Sequence, residues 1–263
     1  TISNAAEIAG WLEGLRQVDC QIVTTHKRPV PIHPLFMFPS GEVTPLVQRR
    51  EMAGKVLHFL RSSPRAGLTP RRGVANFSQI IAALRHLNLL PAVFFLKSRA
   101  DCNLALIAAL PRLNPAESEE GQRHFNVRLR QLLGAHPYLK NHRQLSSLRN
   151  GRVAAHHGGQ LPQWKAVVET LMKEGGLEAI FTTSTVAAGV NFPARSVVLS
   201  QSDRFNGREF VPLNATDLLQ MTGRAGRRGM DKVGFVMVLP GPYQDPRLIF
   251  DLLHSTPESV DSQ

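Results

Sequence analysis

Residues 220–229 read Gln220-Met221-Thr222-Gly223-Arg224-Ala225-Gly226-Arg227-Arg228-Gly229, overlapping the end of an apolar stretch of helical periodicity over 215–221. Glycine recurs at every third position, and Arg224 stands three residues before Arg227 and four before Arg228. In a helical turn that spacing sets the guanidiniums on one side, and the small residues let a second surface come close. An Arg fork combines a fixed charge with paired N–H donors, so the cluster suits a multiply charged phosphate. The plainer alternative is a surface turn with incidental arginines, and the length of the pattern weighs against it.

Working outward, short apolar runs at Ala92–Leu96, Arg152–Ala155, Ala179–Thr183, Ser196–Leu199 and Val233–Leu239 alternate with helical patterns at 77–87, 101–110, 163–173 and 215–221. Short buried strands separated by helices predict an α/β fold, a parallel sheet with helices on both faces. In such sheets function collects in the loops at the carboxyl ends of the strands. A polar break at 114–121 leads into further helical stretches to about Leu148. Ahead of this unit, Ile8, Trp11, Leu12 and Leu15 predict an amphipathic helix over 4–16, capped by Ser3 or Asn4. A strand at Gln21–Thr25, a stiff basic segment at 26–34 and a hairpin around Ser40-Gly41 follow. Residues 48–76 carry Arg49, Arg50, Lys55, Arg61, Arg65, Arg71 and Arg72 against the single acid Glu51. They read as a solvated mobile loop or as an arm facing nucleic acid.

The whole chain has 263 residues, 43% of them hydrophobic, enough to bury a core. Lys and Arg outnumber Asp and Glu by 31 to 20, a formal charge of +11 that favours a polyanionic partner, nucleic acid first. No apolar run reaches the roughly 18 residues that span a bilayer, and residues 1–11 lack a signal-peptide pattern. Cys20 and Cys102 are isolated, so neither a disulfide framework nor a Cys-based zinc site is expected. These features lead to the expectation of a cytoplasmic chain without a membrane partner.

The decapeptide resembles motif VI, Q-x-x-G-R-x-x-R, of superfamily-two DExH/DEAD-box ATP-dependent helicases, in the form of the superkiller-like branch. Phe181–Ala194 (F-T-T-S-T-V-A-A-G-V-N-F-P-A) is similar to motif V, although Ser184 stands where many members carry an acid. Pro91–Cys102 (P-A-V-F-F-L-K-S-R-A-D-C) resembles motif IV, and Val153–Pro162 (V-A-A-H-H-G-G-Q-L-P) resembles the family's H-H-x-G-L-L-P segment. Near the start, Thr1-Ile2-Ser3-Asn4 resembles the end of motif III, and residues 26–31 (H-K-R-P-V-P) resemble the T-x-x-R-P-V-P segment after it.

The resemblance implies a second RecA-like domain over 77–245, the end of the first such domain plus a basic connector over 1–76, and the start of a following region over 246–263. It assigns Arg224 and Arg227 as arginine fingers on the terminal phosphate of ATP, with Gly189, Asn191 and Gln220 also toward the nucleotide. It assigns Ser98, Arg99, His157, Gly158, Thr183 and Thr185 to the backbone of a bound strand, RNA favoured over DNA. Arg228 has no assigned role. No G-x-x-x-x-G-K-[ST] loop and no D-E-x-H box occur in the sequence. ATP with Mg2+ is therefore expected to bind mainly on the first RecA-like domain, a partner within the same protein, and the fragment alone is expected to be inactive. No metal site is expected in this chain, since the His156-His157 pair has no third ligand at metal spacing. The competing readings are a non-catalytic RNA-binding module of helicase ancestry and a nucleotide enzyme such as a dehydrogenase, which lacks its G-x-G-x-x-G here.

Overall fold

The computed structural model describes residues 3–25, 28–62, 76–109, 118–186, 190 and 192–258. Thr1, Ile2, His26, Lys27, Gly189 and Asn191 lie outside the described residues, as does the later part of the basic 48–76 stretch.

A seven-stranded sheet organises the molecule. Its members are β1 (Ile32–Met37), β2 (Val43–Pro45), β5 (Ala92–Leu96), β6 (Val153–His156), β7 (Ala179–Thr183), β8 (Ser196–Leu199) and β11 (Gly234–Val238). They lie in the order β2-β1-β11-β8-β5-β7-β6, parallel throughout except for β2. Two short hairpins, β3 (Val47–Gln48) with β4 (Glu51–Met52) and β9 (Asp203–Phe205) with β10 (Phe210–Pro212), sit outside it.

Period-two alternation in the strands builds two cores. Val93, Phe95, Ile180, Val197 and Val236 face one side and pack with α5 (Glu119–Gly134), α7 (Pro162–Lys173) and α8 (Ala215–Thr222). Phe94, Phe181, Val198 and Met237 face the other and pack with α3 (Phe77–His86) and α4 (Arg99–Ala109). The sheet is thus covered on both faces, which its nearly all-apolar strands require. Within the first core Trp164 is fully buried and its Nε1–H donates to Gln144 Oε1 at 3.3 Å.

Ahead of β5 the structure departs from the sequence reading. Residues 21–25 form no strand; the hairpin expected around Ser40-Gly41 forms between β1 and β2, and β1 also pairs in parallel with β11. Residues 32–62 therefore share the sheet and core built by β5 to β11. Within the basic stretch, α2 (Gly54–Ser62) is a helix whose Val56 is fully buried and whose Leu57, Phe59 and Leu60 pack on the core. Its charges lie on the outer face, so this part is neither a loop nor a free arm. Residues 246–253 form α9 (Pro246–Leu253), with Ile249 in the core. By contrast α1 (Ala5–Arg16) leaves Trp11 and Leu15 about two-thirds exposed.

Candidate nucleic-acid and phosphate sites

At the carboxyl end of the sheet, β5, β7 and β6 are neighbours, with Leu96 paired to Thr183 and His156 to Thr182. That register brings Ser98, Thr183 and His157 to three adjacent strand ends. Ser98 caps α4: the Asp101 amide donates to Ser98 Oγ at 3.1 Å, and Ser98 Oγ donates to Asp101 Oδ2 at 2.8 Å. Arg99, exposed at the start of α4, lies along the Gly158-Gly159 turn. A Cβ on Gly158 would stand 3.4 Å from Arg99 Nη2, and one on Gly159 would stand 3.5 Å from Arg99 Cδ. Bare backbone and guanidinium thus form one surface. The Thr183 and Thr185 hydroxyls share a 2.9 Å hydrogen bond, with Thr185 exposed.

His157 differs from the role that the resemblance implies. Its ring is buried, the Gly159 amide donates to its Nδ1 at 3.2 Å, and its Nε2 meets Asn103 Oδ1 at 3.3 Å. The first contact fixes the tautomer, with the proton on Nε2. Asn103 Oδ1 also accepts from Gln144 Nε2 at 3.2 Å. Burial, with the positive charges of Arg99 and Arg143 behind it, pushes the His157 pKa down to about 4. The ring is neutral at pH 7 and closed off from solvent, so it shapes the Gly158-Gly159 turn instead of presenting itself to a strand. His156 is likewise held below the ordinary His value by burial, against the opposing pull of Glu169, whose Oε1 lies 2.9 Å from its Nε2.

The arginine turn occupies the opposite edge. α8 runs antiparallel to the strands, so its last residue, Thr222, reaches their amino ends. The turn itself is not helical: Ala225 bridges to Ala194, just ahead of β8, and the Gly226 amide donates to Ala194 O at 2.8 Å. Gly226 has φ +83°, in the left-handed region. A Cβ there would lie 2.5 Å from Val30 Cγ1, and one on Gly234 would lie 2.5 Å from the Gly226 nitrogen. The glycines serve close backbone packing, and the arginines project from an irregular turn.

Arg227 is ion-paired with Asp231. Its Nε and Nη2 donate to Oδ2 and Oδ1 at 2.8 and 2.9 Å, and its backbone amide donates to Oδ2 at 2.9 Å. These bonds hold the Asp231 carboxyl below the usual carboxylate range and raise the Arg227 pKa in return. The resemblance implies an uncommitted guanidinium; in the structure Asp231 takes two of its five side-chain N–H donors and leaves three. Arg224 is half-buried, and desolvation lowers its pKa from the ordinary Arg value. Gln220 stands apart from this pair, lining a cleft of about 100 Å³ with Ser184, Thr185, Arg204 and Asp217.

The amino edge presents guanidiniums, that of Arg227 ion-paired to Asp231, and guanidinium N–H groups are donors of the kind that phosphate oxygens accept. They do not fit Mg2+, which needs oxygen ligands. Among the described residues no cluster of three or more His, Cys, Asp or Glu could hold a metal ion. No described helix is long and apolar enough to cross a membrane.

Residues 108–229 match the helicase conserved C-terminal domain. The "Probable helicase HelY" of Mycobacterium tuberculosis (strain H37Rv) is 35% identical over 271 residues, covering 94% of this chain and 30% of that protein. The human "Superkiller complex protein 2" is 31% identical over 290 residues, covering 100% of this chain and 23% of that protein. The human "Exosome RNA helicase MTR4" is 29% identical over 281 residues, covering 100% and 27%. The chain carries the C-terminal helicase domain of a superkiller-like, superfamily-two DExH-box helicase. It spans less than a third of the length of each of these relatives.

Within this helicase domain the sequence reading missed three residues. Asp231, four residues beyond Arg227, is spaced for an i,i+4 ion pair, a signal available in the sequence. Arg143, ahead of α6 (Leu145–Gly151), lies close enough to His157 to depress its pKa, yet sits in a stretch without a recognisable motif. Arg28, in the R-P-V-P segment, hydrogen-bonds to the arginine turn, a contact between residues almost 200 positions apart.

Proposed function

We propose that this chain is the second RecA-like domain of an ATP-dependent nucleic-acid helicase, RNA favoured, with its two tasks divided between opposite edges of one sheet. The observation that carries the proposal is the placement of the arginine turn at the amino ends of β8 and β11 and of Arg99, Gly158 and Thr185 at the carboxyl ends of β5, β6 and β7. The carboxyl edge offers hydroxyls, bare backbone and a guanidinium, donors that suit phosphate and sugar and carry little base information. With two Trp and two Tyr in the sequence, base stacking is a minor part of the grip.

At the amino edge Arg224 and Arg227 face a nucleotide held, with its Mg2+, mainly by a preceding RecA-like domain of the same protein. When bound there, ATP supplies the phosphoanhydride bond whose hydrolysis drives the cycle. Arg224 and Arg227 stabilise negative charge on the phosphoryl oxygens, and Asp231 keeps the Arg227 fork oriented toward them. The resemblance adds Gly189, Asn191 and Gln220 as nucleotide contacts, Gln220 from the cleft that it lines with Thr185. Domain closure on the nucleotide moves both edges as one rigid sheet, which couples hydrolysis to strand movement. RNA is favoured because one human relative reported above carries RNA helicase in its name.

The test is ATP hydrolysis by the complete protein with single-stranded RNA and DNA of equal length. Hydrolysis is expected to be stimulated by either strand, more by RNA, and to be absent from the isolated chain. Binding of strand with no stimulated hydrolysis would support the non-catalytic RNA-binding module instead.

A further inference from the structure

Arg28 leaves the segment that leads into β1 and reaches across to the arginine turn. Its Nε donates to Val30 O at 2.8 Å, and its Nη2 donates to Thr222 O at 3.0 Å and Ala225 O at 2.7 Å. Thr222 is the last residue of α8 and Ala225 directly follows Arg224. One nitrogen therefore bridges the carbonyls on either side of the Gly223-Arg224 dipeptide. The Thr222 carbonyl, at the end of α8, also accepts from the Ala225 amide at 3.0 Å, and a cation there meets the negative end of the α8 dipole. Around this contact the packing is close: Gly226 abuts Val30, and the Gly234 amide donates to Pro31 O at 2.8 Å. Pro29 and Pro31 flank Val30 and stiffen the segment from which the guanidinium extends.

We propose that Arg28 is a positioning residue for the arginine turn, fixing where Arg224 projects without itself touching a phosphate. Its guanidinium faces backbone oxygens at three points and is half-buried, so its donors are directed into the protein. This rests on the reading of Arg224 as a phosphate-binding group. A planar fork is needed because three carbonyls lie around one guanidinium; the ammonium of Lys cannot reproduce that arrangement on its flexible stem. The Arg227–Asp231 pair secures the far side of the turn, so each arginine has its own anchor.

The experiment uses the complete protein with Arg28→Lys and Arg28→Gln, and Arg224→Ala as reference. Strand-stimulated kcat is expected to fall about 10- to 100-fold in Arg28→Lys, since displacing a reacting group by about 1 Å costs on that order. KM for ATP and strand affinity are expected to stay within about twofold, the pattern of a loss confined to the transition state. Hydrogen exchange should quicken in the peptide spanning 223–229 and stay unchanged at the carboxyl edge. Arg28→Gln should follow Arg28→Lys with a larger loss. If Arg28→Lys keeps full kcat while Arg224→Ala loses it, the positioning role is wrong and the phosphate reading stands. If Arg224→Ala itself keeps full kcat, the phosphate reading fails. If Arg28→Lys loses strand binding together with its cooperative melting transition, Arg28 is a general structural residue and the proposal is overturned.

Discussion

The two edges of the sheet are built differently. At the carboxyl edge, side chains such as Arg99 and Thr185 stand exposed on strand ends whose register is set by the sheet itself. At the amino edge, an irregular turn is held from outside by Arg28, by Asp231 and by glycines packed against Val30. The carboxyl edge can lose a contact and remain in place, whereas the amino edge depends on mutual close packing. A surface that grips a uniform phosphate backbone tolerates small shifts. A pair of guanidiniums proposed to meet one phosphoryl group does not.

A glycine at each edge gives the strongest contrast. Gly226→Ala places a Cβ against Val30 at a positive φ, and is expected to cost about 3 kcal/mol or more of folding stability by chemical denaturation. Gly158→Ala meets only the far end of the Arg99 side chain and should cost under about 0.5 kcal/mol. Equal costs would erase the distinction. Next in size, Asp231→Asn weakens the clamp on Arg227; kcat for ATP hydrolysis by the complete protein should drop about tenfold, with strand affinity unchanged. Unchanged kcat would mean that Asp231 holds the turn without serving the guanidinium.

At the carboxyl edge, Arg99→Ala removes one cationic contact. Strand affinity should fall about fivefold near physiological salt, and the slope of log affinity against log salt should shrink by about 0.7, the value for one phosphate on a single strand. The smallest effect is on pH dependence. Burial lowers the pKa of both His156 and His157, that of His157 to about 4 against 6.5 when unfolded. The unfolded chain therefore binds more protons between these values, so stability is full above pH 6.5 and declines as pH falls toward 4. Melting temperatures of this chain should drop by several degrees across that window, and His157→Gln should flatten the decline.

Much of this arrangement was legible in the sequence, unevenly between the edges. β5, β7 and β8 follow directly from apolar runs of four or five residues, because strands buried on both faces need no alternation to betray them. Hence the neighbours at the carboxyl edge, Ser98, Arg99 and Thr183, were readable. The amino edge was read in composition but not in geometry. A three-residue glycine repeat reads as one side of a helix, whereas the chain makes a turn after Thr222. The position of that turn depends on the direction of α8 relative to the strands, which no local pattern encodes. α2 was hidden by its charges, since Lys55 and Arg61 drew attention from Val56, Leu57, Phe59 and Leu60. β9 and β10 are three residues each, too short to show a period, although Asn206-Gly207 between them marks a turn. Arg28 and His157 illustrate the remaining gap. Residue type alone does not tell whether a polar side chain faces solvent or a buried partner.

The most direct measurement is a crossed pair in the complete protein, Arg224→Ala and Arg99→Ala, each assayed for ATP turnover and for strand affinity in the same buffer. The account predicts that Arg224→Ala lowers turnover about 10³-fold and leaves strand affinity within about twofold, since an arginine finger acts on the transition state. Arg99→Ala is predicted to lower strand affinity while turnover at saturating strand is preserved. Parallel loss of both properties in both variants would contradict the division of labour between the two edges.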